Sequence, residues 1–216
     1  MNPRLDGPVE AVVRRYYRLA EVVYLAGFGL CIGAGAYGFR SEDPATSVAA
    51  GLGLLLVAIV GFVPLFDLRT EGVLETSKSP ETVRAEFENA VNPMTAFAFG
   101  WADEIRKCEA DDGSADVVLE GTFLRLFAHE YRLHVSRDGE SAILIRFGDD
   151  ALDGTVELSI RPSEAGTRVE TTSYDERERV TGLLFSVLNA RYERRVLEHF
   201  GYRNVERSTS VGLRFR

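Results

Sequence analysis

The sequence predicts an α+β protein: an apolar helical hairpin, then a mainly antiparallel sheet, then a long helix. Three observations predict it. Two long uncharged stretches, 22–39 and 44–66, stand near the start, separated only by Arg40-Ser41-Glu42-Asp43. After Trp101 the apolar residues recur every second position, the period of a strand with one buried face. From Val180 they recur every three or four positions, the period of a helix.

At about 1.5 Å per residue the two uncharged stretches reach roughly 27 and 34 Å, against a hydrocarbon core of about 30 Å. The first is preceded by Arg14, Arg15 and Arg18 and contains Ala34-x-Ala36, features of a secretory leader. It exceeds the apolar region of about 7–15 residues in such leaders, and a second stretch follows at once, so a retained hairpin is expected. No charge falls in either stretch, which fits an anchor better than a transport path. Arg4, Arg14, Arg15 and Arg18 precede the hairpin, Arg69, Lys78 and Arg84 follow it, and the connection holds only Arg40. This asymmetry puts both termini, and the domain that follows, on the cytoplasmic side of a cell membrane crossed twice. Gly29 and Gly33, and Ala49 and Gly53, have the small-xxx-small spacing that lets helix backbones approach, within the hairpin or between copies in a homo-oligomer.

The remaining elements follow in order. Residues 72–77 have strand character. Ser79-Pro80 is a helix start, serine as N-cap and proline at the first helical position, with Val83 and Phe87 one turn apart. Asn92-Pro93 ends that helix, and 94–100 suits a second short one. Strands are expected over 102–110, 116–123, 127–136, 142–147, 156–161 and 167–174, with turns at Asp111-Asp112-Gly113, Asp138-Gly139, Asp153-Gly154 and 162–166. The last helix, 180–200, carries Phe185, Leu188, Tyr192, Val196 and Phe200 on one stripe and stops at Gly201. Leu183, Leu184 and Val187 lie off that stripe and require cover from protein, ligand or membrane. The domains are therefore expected as a hairpin at 1–71, a soluble domain at 72–202 and an extension at 203–216.

Composition excludes several functions. The net charge is −8, and every basic residue except Lys78 and Lys107 is arginine. No basic cluster suits nucleic acid. Two cysteines, Cys31 and Cys108, with no CxxC, make neither a disulfide framework nor a redox or metal motif. Of the three histidines, His129 and His134 fall on opposite faces of one strand and His199 is on the last helix, so no metal site is expected. Asp103, Glu104 and Glu130 are carboxylates available for acid–base work, but they count among 33 acidic residues that mostly solvate a surface. No GxSxG, phosphate-binding loop or dinucleotide motif occurs, and no cofactor is expected.

The order strand, one or two helices, six strands, long helix, with the Ser79-Pro80-Glu81-Thr82-Val83 helix entry after the first strand, resembles the START-like helix-grip superfamily, also called SRPBCC, over about residues 72–202. The resemblance implies a curled antiparallel sheet around the C-terminal helix with an apolar cavity between them. It carries no catalytic signature shared by all members. In that cavity Phe185, Leu188, Asn189 and Tyr192 would be ligand-binding, a few polar groups in an apolar lining. The function expected is a membrane-anchored binding or carrier domain for a hydrophobic small molecule such as a lipid or isoprenoid. The alternatives are a cyclase or dehydrase using the same cavity, and a non-catalytic module that regulates a membrane partner.

Overall fold

In the computed structural model of the chain the described residues are 5–40, 43–62, 66–109, 115–123, 127–139, 142–148, 154–178 and 180–213. Helix α1 (Gly7–Phe39) and helix α2 (Pro44–Phe62) form the hairpin. Strand β1 (Phe66–Thr76) follows, then α3 (Pro80–Phe87) and α4 (Ala96–Trp101). The meander comprises β2 (Glu104–Glu109), β3 (Ala115–Phe123), β4 (Phe127–Asp138), β5 (Ala142–Gly148), β6 (Gly154–Ser163) and β7 (Gly166–Glu178). Helix α5 (Val180–His199) and strand β8 (Arg203–Leu213) complete the chain.

The α+β class and the antiparallel sheet are as predicted. Eight strands lie in the order β2-β3-β4-β5-β6-β7-β1-β8, every neighbouring pair antiparallel. The six predicted meander strands are all present, because alternation exposes one face to the core: Val117, Leu119, Leu133, Val135, Ile143, Ile145, Val156, Leu158, Ile160 and Val169 are all buried. Ser79 caps α3 as its sequence predicts, its side chain accepting the Thr82 N–H at 3.3 Å with Pro80 next. Gly166 joins β6 to β7 at φ 135°, where a Cβ would collide with the Thr76 carbonyl. Gly201 ends α5 at φ 78°, in the left-handed geometry that favours glycine after a helix.

Two elements extend past their expected limits. β1 starts at Phe66, before the expected 72, and pairs with β7 through Phe66 to Glu178. Residues 203–213, for which the sequence offers no role, form β8 on the far side of β1.

The start of α1 is the larger departure from expectation. Leu5, Val9, Val13, Tyr16 and Ala20 make a buried stripe, and Leu5, Val9 and Val13 join the same buried cluster as the sheet residues. They pack on α4, where a Cβ on Gly100 would strike the Val13 side chain. The spacing of three and four is that of one helix face, so residues placed by sequence in the hairpin supply core. Beyond Ala20 the same unbroken helix turns outward: Val22 is 62 % exposed, Leu30 75 % and Tyr37 81 %. The helix is 33 residues long and meets the length and apolarity of a membrane span.

The hairpin closes on small residues other than the expected ones. A Cβ on Gly35 would meet Leu54, and one on Gly38 would meet Ala50, whereas Gly29, Gly33 and Gly53 face open space. The register follows from the short turn, which sets Gly38 beside α2's second turn; Ser47 Oγ donates to the Gly38 carbonyl at 3.2 Å.

Val13→Ala should lower the unfolding free energy by about 2 kcal/mol, since the side chain is wholly buried and the gap it leaves is lined by helix backbone. Val22→Ala, on the exposed continuation of the same helix, should change it by less than about 0.5 kcal/mol. Thermal melts of the full chain in detergent compare the two; equal effects would show that the N-terminal turns are not part of the core.

Candidate functional site

Helix α5 is held between two neighbours. On one side lies the beginning of α1: the Tyr192 ring meets Tyr16 edge-on at 5.6 Å, Tyr16 meets Phe97 of α4 at 5.2 Å, and the Tyr17 hydroxyl donates to the Phe97 carbonyl at 3.1 Å. On the other side lies β8, where Arg207 forms an ion pair with Glu193. The C-terminal half of α5 drives Val196 and Leu197 into the core over the sheet.

Of the four residues the sequence places at a ligand site, Tyr192 packs on α1, Leu188 is half-buried one turn before it, and Asn189 is half-buried one turn before Glu193. The Asn189 Oδ1 atom is buried and accepts no hydrogen bond. The side chain of Phe185 lies outside the described residues, as do those of Leu183, Leu184 and Val187. Helix α1 packs along α5.

The sheet surface facing α5 changes character along its strands. Deep in the domain it is apolar: Leu74 on β1 pairs with Val169 on β7, and Val169 leads to Ile160 on β6. Toward the hairpin the same face carries Gly72 opposite Thr171, then Thr70 opposite Ser173 on one side and Thr209 on the other. Thr70 Oγ1 and Thr209 Oγ1 are 3.3 Å apart, and Thr171 Oγ1 donates to the Gly72 carbonyl at 3.3 Å. A Cβ on Gly72 would come within 2.9 Å of that Thr171 hydroxyl. Arg207, opposite Gly72, reaches α5 through Glu193, which fixes this as the side of the sheet that α5 covers. The hairpin-proximal part of this face thus carries small side chains and hydroxyls, and Asn189 of α5 has an unsatisfied amide oxygen. Sequence reasoning singles out Asn189 by its place beside the apolar stripe. It does not single out Thr70, Gly72, Thr171 or Thr209, because a threonine in a strand reads as ordinary surface until its register is known.

The opposite end of α5 is a polar latch. Lys78 Nζ donates to both Glu86 oxygens, at 2.6 and 2.8 Å, and to the Phe200 carbonyl at 2.6 Å at the end of α5. The Tyr202 hydroxyl donates to Glu86 at 2.5 Å, and Lys78 lies 4.8 Å from the Tyr202 ring centre. Thr76 Oγ1 donates to the Gly201 carbonyl at 2.8 Å. These groups tie α3 and β1 to the C-terminus of α5 and satisfy carbonyls that the helix leaves open. Burial, then the Glu86 hydrogen bond and charge, raise the Tyr202 phenol above its ordinary value.

The expected acid–base candidates lie elsewhere. Asp103, Glu104, Glu120 and Glu130 border an open cleft of about 420 Å³ at the β2–β4 edge. Three of these carboxylates are engaged by neighbours: Arg106 pairs with Glu120, Arg132 with Glu130 at 3.1 Å, and the Thr122 N–H donates to Asp103 at 3.2 Å. His134 sits on the face of β4 opposite Leu133 and Val135, and His199 is exposed. The side chain of His129 lies outside the described residues. Among the described residues no three histidine, cysteine, aspartate or glutamate side chains converge as for a metal.

No protein-family model matches the chain, and no curated protein matches it. Among solved structures it is similar to the di-domain ARO/CYC StfQ from the steffimycin biosynthetic pathway, at 13% identity over 74% of this chain and 61% of that one, TM-score 0.46. It is similar to a START superfamily protein from Mycobacterium smegmatis, at 16% identity over 62% and 97%, TM-score 0.41. It is also similar to a protein from Thermus thermophilus, TTHA0849, at 15% identity over 62% and 98%, TM-score 0.40. The chain spans 61% and 46% of the length of the two di-domain ARO/CYC proteins it matches.

The latch generates a pH prediction. A phenol whose folded pKa is raised contributes its full stability below the unfolded value near 10, and that contribution is lost as pH rises toward the folded value. The parent should therefore lose stability above about pH 10 faster than Tyr202→Phe. At pH 7 the variant should be about 1.5–3 kcal/mol less stable, the worth of a hydrogen bond to a charged group. Denaturant melts at pH 7 and pH 10.5 test it; parallel pH profiles would show that the phenol does not titrate with unfolding.

Proposed function

We propose that the protein is a membrane-anchored binding or carrier domain for a hydrophobic small molecule, crossing the membrane with α1 and α2 and keeping both termini and the sheet domain in the cytoplasm. The observation that carries this reading is the continuity of α1. One helix leaves the core at Ala20 and becomes exposed and apolar within a single turn, with no linker. Such a surface on a soluble monomer would be an aggregation liability, whereas in a bilayer it is the ordinary state of a span. Helix α2 returns the chain to Phe66, four residues before Thr70, so the surface under α5 begins where the hairpin ends. A molecule dissolved in the bilayer would have little water to cross on its way to that surface. The basic flanks supply the orientation.

Two measurements test the proposal. Single cysteines at Glu75 and Ser210, with Cys31 and Cys108 replaced, should resist an impermeant thiol reagent in intact cells and react after permeabilisation. Labelling in intact cells would reverse the orientation, and full extraction of the chain by alkaline carbonate would remove the anchor. Leu188→Trp should displace a co-purifying lipid seen by native mass spectrometry while leaving the melt within about 1 kcal/mol of the parent. A loss of about 1–3 kcal/mol with lipid occupancy unchanged is what overpacking a solid core would give instead, and would sink the carrier reading.

A further inference from the structure

Resting on the carrier reading, we propose that the site selects an uncharged amphiphile whose polar head donates a hydrogen bond, a hydroxyl-bearing neutral lipid, and that Asn189 Oδ1 receives it. Three observations converge. The first is the amide itself: Oδ1 is buried and has no partner. An unmet buried acceptor is a cost to the fold, and it persists here on the face of α5 that looks toward the sheet.

The second is what lies beneath it. Glu193, one turn along α5, pairs with Arg207 of β8. β7 ends at Glu178 opposite Phe66, so the start of α5 lies at the hairpin end of the sheet, as does the end of β8, where Leu213 also pairs with Phe66. One turn of α5 toward the hairpin from Glu193 is Asn189, and one step of β8 in the same direction from Arg207 is Thr209, with Thr70 beside it. By this register the amide lies on the side of the sheet that carries Thr70, Gly72 and Thr209. Small hydroxyl side chains leave room for a head group and offer it both donors and acceptors. A purely hydrocarbon ligand would leave Asn189 Oδ1 unpaired.

The third is charge. A phosphate head needs a cation free to meet it. Arg207, which lies on this surface, is already neutralised by Glu193.

The test uses the full chain in phosphatidylcholine nanodiscs doped with dioleoylglycerol or with dioleoylphosphatidic acid, lipids that share acyl chains and differ at the head. Native mass spectrometry of the released protein should show the diacylglycerol adduct, and Asn189→Leu should reduce it by at least about tenfold. In lipid-free detergent Asn189→Leu should melt above the parent, because it removes an unmet buried acceptor; a lower melt would show that the amide is structural and overturn the inference. Thr70→Val gives a second reading that keeps side-chain shape, and should weaken diacylglycerol alone. Phosphatidic acid bound equally or better overturns the neutral head, and diacylglycerol retained undiminished by Asn189→Leu overturns the role of the amide; both leave the carrier reading standing. Retention of neither lipid, with no other adduct from the cell, overturns the carrier reading itself.

Discussion

The packing of the first turns of α1 against α4 and α5 is the constraint on which the remaining architecture depends. Val13 occupies the space that Gly100 leaves open, and Tyr16 is enclosed by Tyr17, Phe97 and Tyr192. A helix anchored this way cannot swing. At about 1.5 Å per residue α1 is a rod of roughly 50 Å, with its first third in the protein and the rest outside it. Its direction is set by side-chain packing in the domain, and α2 must follow it back through Gly35, Gly38 and Ala50. Domain and hairpin are thus joined twice, by an unbroken helix and by the short passage from Phe62 to Phe66. Relative motion of the two would have to break core contacts, which is costly because interiors are close-packed.

The same packing positions α5. With Tyr192 committed to α1 and Glu193 to Arg207, the helix is fixed in rotation, and Asn189 is directed at the hairpin-proximal part of the sheet. The latch at the other end fixes it in translation. Lys78 holds the last carbonyls of α5 and the Glu86 carboxylate of α3 together, and the Tyr202 phenol closes the set. One end of α5 is tied by hydrogen bonds to Lys78 and Thr76; nearer the other, Asn189 keeps an amide oxygen without a partner. Natural folds leave few buried acceptors unmet, and Asn189 Oδ1 is one.

Charge follows the same division. Around the β2–β4 edge Asp103, Glu120 and Glu130 are solvated and paired with Arg106, Arg132 or backbone. Exposed pairs of this kind contribute little to stability.

What the sequence determined by itself was local and periodic. Alternation from Trp101 onward specified six strands, the Ser79-Pro80 cap specified the start of α3, and the apolar runs specified two helices. Each signal is written within a few residues and is enforced by the backbone they share. The stripe Leu5, Val9, Val13, Tyr16, Ala20 was also legible at helical spacing, but its partner, Gly100, is far along the chain, and only contact distinguishes a core stripe from the lead-in to a span. β8 had no such signal: from Arg203 to Gly212 nearly every position is exposed and no alternation appears, since the strand's place is set by backbone hydrogen bonds to β1, which any side chain permits. The hydroxyl-bearing part of the sheet was hidden for the same reason. Thr70, Thr171 and Thr209 come from three strands distant in sequence, and only the register of β7, β1 and β8 brings them to one face.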